Sequence, residues 1–252
     1  MTQTISTRKF LRVLHFLNQT GAPLSAHWGF IKTYISKKMR PLSTLELNEF
    51  RGLANRHDFT NDWFTGNIPL WAKNTKELAL HFNLKNLNAL EIGSWEGLSS
   101  LYMMSNSIVS NLTCVDTWTG ADEHQGTSAV QSIEEKFDKN LNPYLDKIKK
   151  FKGTSYQFFN QCAPDMKYEL VYIDGSHYCD DVMIDAIKAF EHLNVGGILI
   201  FDDYLWVYYK NLLDNPAGAI NNFLRLKKGQ YKILSVDYQL TIQKISEGRN
   251  TL

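Results

Sequence analysis

Between residues 89 and 201 the sequence alternates short apolar runs with stretches of helical periodicity, and few folds accommodate that rhythm. The runs are Ala89–Ile92, Leu112–Val115, Lys149–Phe151, Leu170–Ile173 and Ile198–Phe201. Each has strand length, and the spacers can hold a crossover helix, so the pattern predicts βαβ units and a parallel sheet. Before the fifth run, Val182, Met183, Ala186, Ile187, Phe190 and Leu193 recur at helical spacing. Gly196-Gly197 is expected to stop that helix. Thr75 with Leu78, Leu80 and Phe82 predicts a capped helix leading into the sheet. After Pro216 a helix over Ala219–Leu226 precedes two alternating runs, Tyr231–Val236 and Gln239–Ile245, close enough to pair antiparallel. Ligands of such sheets bind beyond the carboxyl ends of the strands. The polar residues that follow each run are therefore the candidates for chemistry.

With 252 residues the chain has room for one large α/β domain with an appendage. A net charge of +1 gives no global reason to expect nucleic acid, and three cysteines are too few for a disulfide framework. A reducing cytoplasm is the expected compartment. The near-neutral total conceals an asymmetry. Residues 1–45 carry seven Lys and Arg and no acid, whereas the remainder holds 20 basic and 26 acidic groups. Nothing approaches the roughly 20 apolar residues of a membrane span. Phe10, Val13, Leu14 and Leu17 share one helical face. Packing of that face on the main domain or on a sister subunit, peripheral contact with anionic lipid, and binding of an acidic partner all remain open. Pro41 and Pro69 punctuate this region, whose aromatics Trp28, Phe30, Tyr34, Phe59, Trp63, Phe64 and Trp71 are expected to cover a site and exclude water.

The first run ends in Glu91-Ile-Gly93-Ser94-Trp-Glu-Gly97 ahead of a helical stretch. Gly93 and Gly97 permit a tight turn and close backbone approach to a ligand. The spacing is not the G-x-G-x-x-G of dinucleotide sites, and the preceding acid suits a cationic or amino-bearing ligand better than a phosphate. Asp116 ends the second run where an acid can accept both hydroxyls of a ribose. Trp118 is placed to pack on a ligand or on the core. The fourth and fifth runs end in Asp174-Gly-Ser-His177 and Asp202-Asp203-Tyr204. Three carboxylates brought together disfavour one another's ionisation unless a cation intervenes, and an all-oxygen set favours Mg²⁺ or another hard ion. His177 stands close enough to serve as a general base.

These four segments, Glu91-x-Gly93-x-x-x-Gly97, Asp116-Thr-Trp118-x-Gly120, Tyr172-Ile-Asp-Gly-Ser-His177 and Gly196-Gly-Ile-Leu-Ile-Phe-Asp-Asp-Tyr204, together resemble class I S-adenosylmethionine-dependent methyltransferases. The branch most resembled contains macrolide-sugar and rhamnosyl O-methyltransferases and cephalosporin-biosynthesis methyltransferase-like enzymes. The resemblance covers residues 60–243. It implies a Rossmann-like seven-stranded sheet of order 3-2-1-4-5-7-6, with strand 7 antiparallel, helices on both faces and an amino-terminal helical extension. Residues 1–60 would be the extension and 61–252 the cofactor-binding domain. By the same resemblance Glu91, Gly93, Ser94 and Gly97 surround the methionine part of S-adenosylmethionine, Asp116 holds the ribose, and Ser155 lies near the adenine. Asp174, Asp202 and Asp203 match the family's metal carboxylates, and His177 its base. Trp118 and Asp174 complete the cofactor-side candidates.

The expected activity is O-methylation of a sugar, natural-product or phenolic hydroxyl, with Mg²⁺-assisted deprotonation by His177, in a homo-oligomer. A metal-independent N- or O-methyltransferase of small molecules, and a non-catalytic cofactor-binding protein docking through residues 1–45, are the competing readings.

Overall fold

A computed structural model describes residues 7–40, 42–83, 87–106, 108–120 and 132–248. Pro41 lies outside the described residues. Seven strands, β1 (Asn88–Ile92), β2 (Asn111–Asp116), β3 (Ile148–Lys152), β4 (Tyr168–Ile173), β5 (Leu193–Phe201), β6 (Tyr231–Val236) and β7 (Leu240–Lys244), form one sheet of order 3-2-1-4-5-7-6. The first five run parallel, and β7 is antiparallel to both β5 and β6. This is the architecture expected from the sequence.

Strand alternation splits the core in two. Leu90, Ile92, Val171, Ile173, Leu199 and Phe201 point to one face, and Ala89, Leu112, Leu170, Tyr172, Ile198 and Ile200 to the other. The first face is covered by α1 (Thr7–Gln19), α2 (Leu24–Met39), α7 (Ser155–Gln161), α8 (Cys179–His192) and α9 (Pro216–Leu226). The second is covered by α3 (Leu45–Ala54), α4 (Ile68–Asn74), α5 (Leu98–Ser105) and α6 (Ile133–Leu141). The amino-terminal helices thus share the sheet's own two cores. The stripe of α1 packs inward: Leu17 is buried, and Phe10, Val13 and Leu14 lie against the first core. Packing on the main domain is the reading that holds for this stripe.

Three local expectations change. Residues Thr75–Leu80 form a 3-10 helix continuing from α4, and Thr75 closes α4 rather than opening a new helix: its backbone N–H and its hydroxyl both donate to the Trp71 carbonyl, the hydroxyl at 2.8 Å. Gly196-Gly197 does not stop α8, which ends at His192 and passes directly into β5. The glycines sit where the register of β4 and β5 slips, with Leu193 opposite Tyr168 but Ile198 opposite Leu170. Gly196 has φ +91°, and a Cβ there would press on His81 at 2.8 Å. A helix-stop signal and a bulge signal use the same residue for the same reason, its access to positive φ. The early aromatics serve mostly as core: Phe64 and Trp71 are buried, with Trp71 edge-on to Tyr172 at 4.9 Å.

Candidate active site

The glycine turn after β1 is fitted to the loop after β4. Gly93 (φ +84°) leaves no room for a side chain, since a Cβ there would collide with the carbonyl of Asp174. Gly97 (φ +86°) precedes α5, and a Cβ there would meet Leu141 and Phe137 at 3.1 Å. Asp116, from the end of β2, is the organiser of the turn. Its Oδ2 accepts from the backbone N–H groups of Ser94 (2.7 Å) and Trp95 (2.8 Å), and its Oδ1 from that of Trp118 (2.6 Å). Trp95 and Trp118 both have positive φ, 47° and 51°, a costly conformation for a bulky side chain that clusters at functional loops. Trp118 is buried edge-on to Phe137, donates from Nε1 to the Trp95 carbonyl at 3.0 Å, and has Lys150 Nζ above its ring.

Glu91 lies fully buried beneath the turn. Ser99 and Ser100 of α5 donate to its two oxygens, Ser99 at 2.5 Å. Burial raises its pKa, opposed by hydrogen bonds from Ser100, Ser99, Ser94 and Cys114. Ser94 is also buried. Ser155 begins α7 after the Thr154 cap and hydrogen-bonds Asp185 of α8.

Beyond β4 and β5, one ligand atom each from Asp174, His177 and Asp203 fall within 4.8 Å of one another. His177 Nε2 is 2.8 Å from Asp203 Oδ2, and its ring lies 4.5 Å from that of Trp206. Asp203 has φ +54° and accepts from Tyr238 Oη at 2.6 Å. Asp202 belongs to a different set of contacts. It accepts from Tyr172 Oη, from Gln239 Nε2 at 3.0 Å and from the Asp203 N–H at 2.7 Å. Tyr172 Oη also lies 2.9 Å from Asp174 Oδ2, so one phenol serves two carboxylates. Burial, then Asp202 and Asp203, push Asp174 well above the carboxylate range, while burial and Asp203 raise Asp202 to about 6. The carboxylates thus repel one another in a confined space, which is the condition a bound cation relieves.

Sequence reasoning missed several participants. Tyr238 and Gln239 come from the β6–β7 turn, Trp206 from the loop after β5, and Glu96 from inside the glycine motif. Glu96 is 1% exposed and ties residue 60 to that motif, accepting from Thr60 N (2.5 Å), Thr60 Oγ1 (2.6 Å) and Lys136 Nζ (3.1 Å).

The strand order, glycine turn and acid-tipped strands make a Rossmann-like fold, one shared with solved methyltransferase structures. Residues 90–204, a little under half of the chain, match a family profile described as "Methyltransferase domain". Uncharacterized protein R132 of Acanthamoeba polyphaga mimivirus is 28% identical over 141 residues, 51% of this chain and 57% of that protein. The chain therefore matches little more than half the length of this curated relative. Among solved structures, the O-methyltransferase TomG from Streptomyces achromogenes, involved in tomaymycin synthesis and determined with S-adenosylmethionine, superposes with TM-score 0.52. Its identity is 10%, covering 88% of this chain and 99% of that one. MycE methyltransferase of the mycinamycin pathway, in complex with Mg, S-adenosylhomocysteine and mycinamycin VI, gives TM-score 0.51 at 16% identity, covering 81% and 56%. At these identities the likeness is one of fold.

Proposed function

We propose that the chain is an S-adenosylmethionine-dependent O-methyltransferase acting on a hydroxyl that has a second oxygen beside it, as in a sugar diol or a catechol. The observation that carries this reading is the adjacency of two features. The Gly93 turn abuts Asp174, and Asp174 shares a cluster with His177 and Asp203. A donor held at the turn would present its methyl group to an acceptor held at the cluster, and alignment is the larger part of what a methyltransferase must supply. Matched structures carrying S-adenosylmethionine, or S-adenosylhomocysteine and Mg, support the same assignment.

In this reading the backbone of residues 93–97, fixed by Asp116, receives the amino-acid part of the cofactor, with Glu91 setting the charge beneath it. Asp116 remains the candidate for the ribose side, and Ser155 for the adenine side. Asp174 and Asp203, with Asp202 behind them, fit a hard divalent cation, since their carboxylates converge beside the imidazole where like charges are otherwise uncompensated. Such an ion would lower the pKa of an acceptor hydroxyl. His177, oriented by Asp203, accepts the hydroxyl proton, and Trp206 beside it limits solvent access.

The test is methyl transfer from S-adenosylmethionine to catechol and to sugar diols, with S-adenosylhomocysteine affinity measured by calorimetry. His177→Ala should lower turnover by about 10²–10⁴-fold while leaving that affinity unchanged. Full activity of the variant would remove His177 from this role. Loss of a Mg²⁺-dependent rise in melting temperature in the same variant would make His177 a ligand of the ion instead.

A further inference from the structure

Helix α2 has two unlike faces. Its inner face is fixed to the sheet edge at three successive turns. A Cβ at Gly29 would meet Ile233 and Val236 at 2.8 and 2.9 Å, the Thr33 hydroxyl accepts from the Val236 N–H at 3.1 Å, and Lys37 is paired with Asp237. The opposite face carries Leu24, Trp28, Ile31, Ile35 and Met39, spaced four, three, four and four residues apart, which is one straight stripe on a helix. Leu24 is 78% exposed, Trp28 60%, Ile35 47% and Met39 77%. Over 16 residues the stripe runs for roughly 24 Å. Water-facing residues of this kind and number on a single helix are not explained by packing among the described residues.

We propose that this outward face of α2 docks on an anionic lipid bilayer. Charge decides among occupants. Lys32 and Lys38 flank the stripe and Arg40 follows its end, all exposed, and residues 1–45 hold seven cations and not one acid. A second copy of this chain would bring the same cations against these, with no acid from this segment to answer them. An anionic surface answers Lys32, Lys38 and Arg40, at about 1 kcal/mol for each Lys or Arg near it. An apolar stripe bearing Trp and bordered by Lys is the arrangement of helices that lie in the headgroup layer. No helix among the described residues is long and apolar enough to cross a membrane, so the attachment is peripheral. The carboxyl end of α2 also leads to the candidate active site. Lys37 pairs with Asp237, and the next residue, Tyr238, donates to Asp203 at 2.6 Å. Docking would bring the β6–β7 turn toward the bilayer together with that end of the helix.

The experiment is sedimentation of the full chain with vesicles of phosphatidylcholine, with and without phosphatidylglycerol, alongside Trp28→Glu/Ile35→Glu and Lys32→Glu/Lys38→Glu double variants. All four positions are solvent-facing, and circular dichroism verifies that the variants fold. The wild type should sediment with the phosphatidylglycerol vesicles and be released by salt, and each double variant should bind them at least about tenfold more weakly. A wild type that stays in the supernatant, binding indifferent to phosphatidylglycerol, or variants that bind like wild type would each overturn the proposal. So would a dimer in solution that Trp28→Glu/Ile35→Glu converts to monomer, which would assign the stripe to a second copy. None of these readouts depends on the reaction, so failure here leaves the proposed activity untouched.

Discussion

His177 Nε2 stands 2.8 Å from Asp203 Oδ2, so the imidazole after β4 is held by a carboxylate whose own backbone occupies the left-handed region at φ +54°. Asp203 is in turn held by the Tyr238 hydroxyl. Asp203→Asn keeps the shape of the side chain but removes its charge, so it should impair both the orientation of His177 and retention of a cation. Turnover is expected to fall about 10²-fold or more. The rise in melting temperature on adding MgCl₂ to chelator-treated protein should shrink in parallel. A variant that retains both wild-type rate and wild-type metal response would separate Asp203 from the site.

Gly93→Ala tests the seam between the two halves of the site. The substitution forces an L side chain to φ +84° and drives a methyl group into the Asp174 carbonyl. The loops after β1 and β4 must then part, which should cost more than the roughly 0.4–1 kcal/mol that a Gly-to-Ala change gains where the backbone can accept it. Chemical denaturation should show that loss, and calorimetry a matching loss of S-adenosylhomocysteine binding.

Asp116→Asn probes the turn while leaving the backbone pairing of β2 with β3 in place. A carboxylate can accept from Ser94, Trp95 and Trp118 at once, whereas an amide offers one oxygen and turns an NH₂ toward at least one N–H. A broken charge-assisted bond of this kind costs about 1.5–3 kcal/mol. S-adenosylhomocysteine affinity should fall about tenfold or more, with the melting temperature moving by only a few degrees.

The fold was legible because strand and helix periods alternate cleanly from Ala89 to Phe201, and a parallel sheet puts its chemistry where the runs end. Gly93, Asp116, Asp174, His177 and Asp203 are all singled out on that basis, and the structure brings Asp174, His177 and Asp203 into one cluster. The grouping of the acids was harder to read. Asp202 and Asp203 are neighbours in sequence, but successive residues at a strand end point apart, and only Asp203 converges with His177. Tyr238, Gln239 and Trp206 reach the site through tertiary packing from segments without a motif, and no spacing rule announces them. The positive φ of Trp95 has no local signal either, because its N–H bonds to Asp116, some 20 residues on, whereas that of Trp118 accompanies a local turn in which Asp116 accepts from the N–H two residues on. In the amino-terminal region the conspicuous stripe of α1 proved to be core. The stripe of α2 is not legible in the sequence because Ala26 and Phe30 on the buried side add apolar residues out of step with it, which blurs the periodic signal.

Asp185 gives the clearest pH-dependent expectation, away from the carboxylate cluster. It sits on the sheet-facing side of α8, 2% exposed, where burial above all raises its pKa to about 7; a hydrogen bond from Ser155 opposes the shift, and Asp181 adds to it. A carboxyl whose folded pKa exceeds its unfolded value near 3.8 holds its proton longer when folded. Over that interval the folded state binds more protons than the unfolded one, so stability falls as pH rises. The penalty is absent below about pH 4, grows to about pH 7 and is constant above. Asp185→Asn removes the titrating group but keeps an acceptor for Ser155, so its advantage over wild type should follow the same curve. The ceiling is roughly 4 kcal/mol, from about three pK units at 1.36 kcal/mol each, before relaxation of the surroundings reduces it. Urea denaturation at pH 4.5 and pH 8 measures the difference directly. An advantage equal at both pH values would mean that Asp185 is already ionised in the folded protein at the lower one.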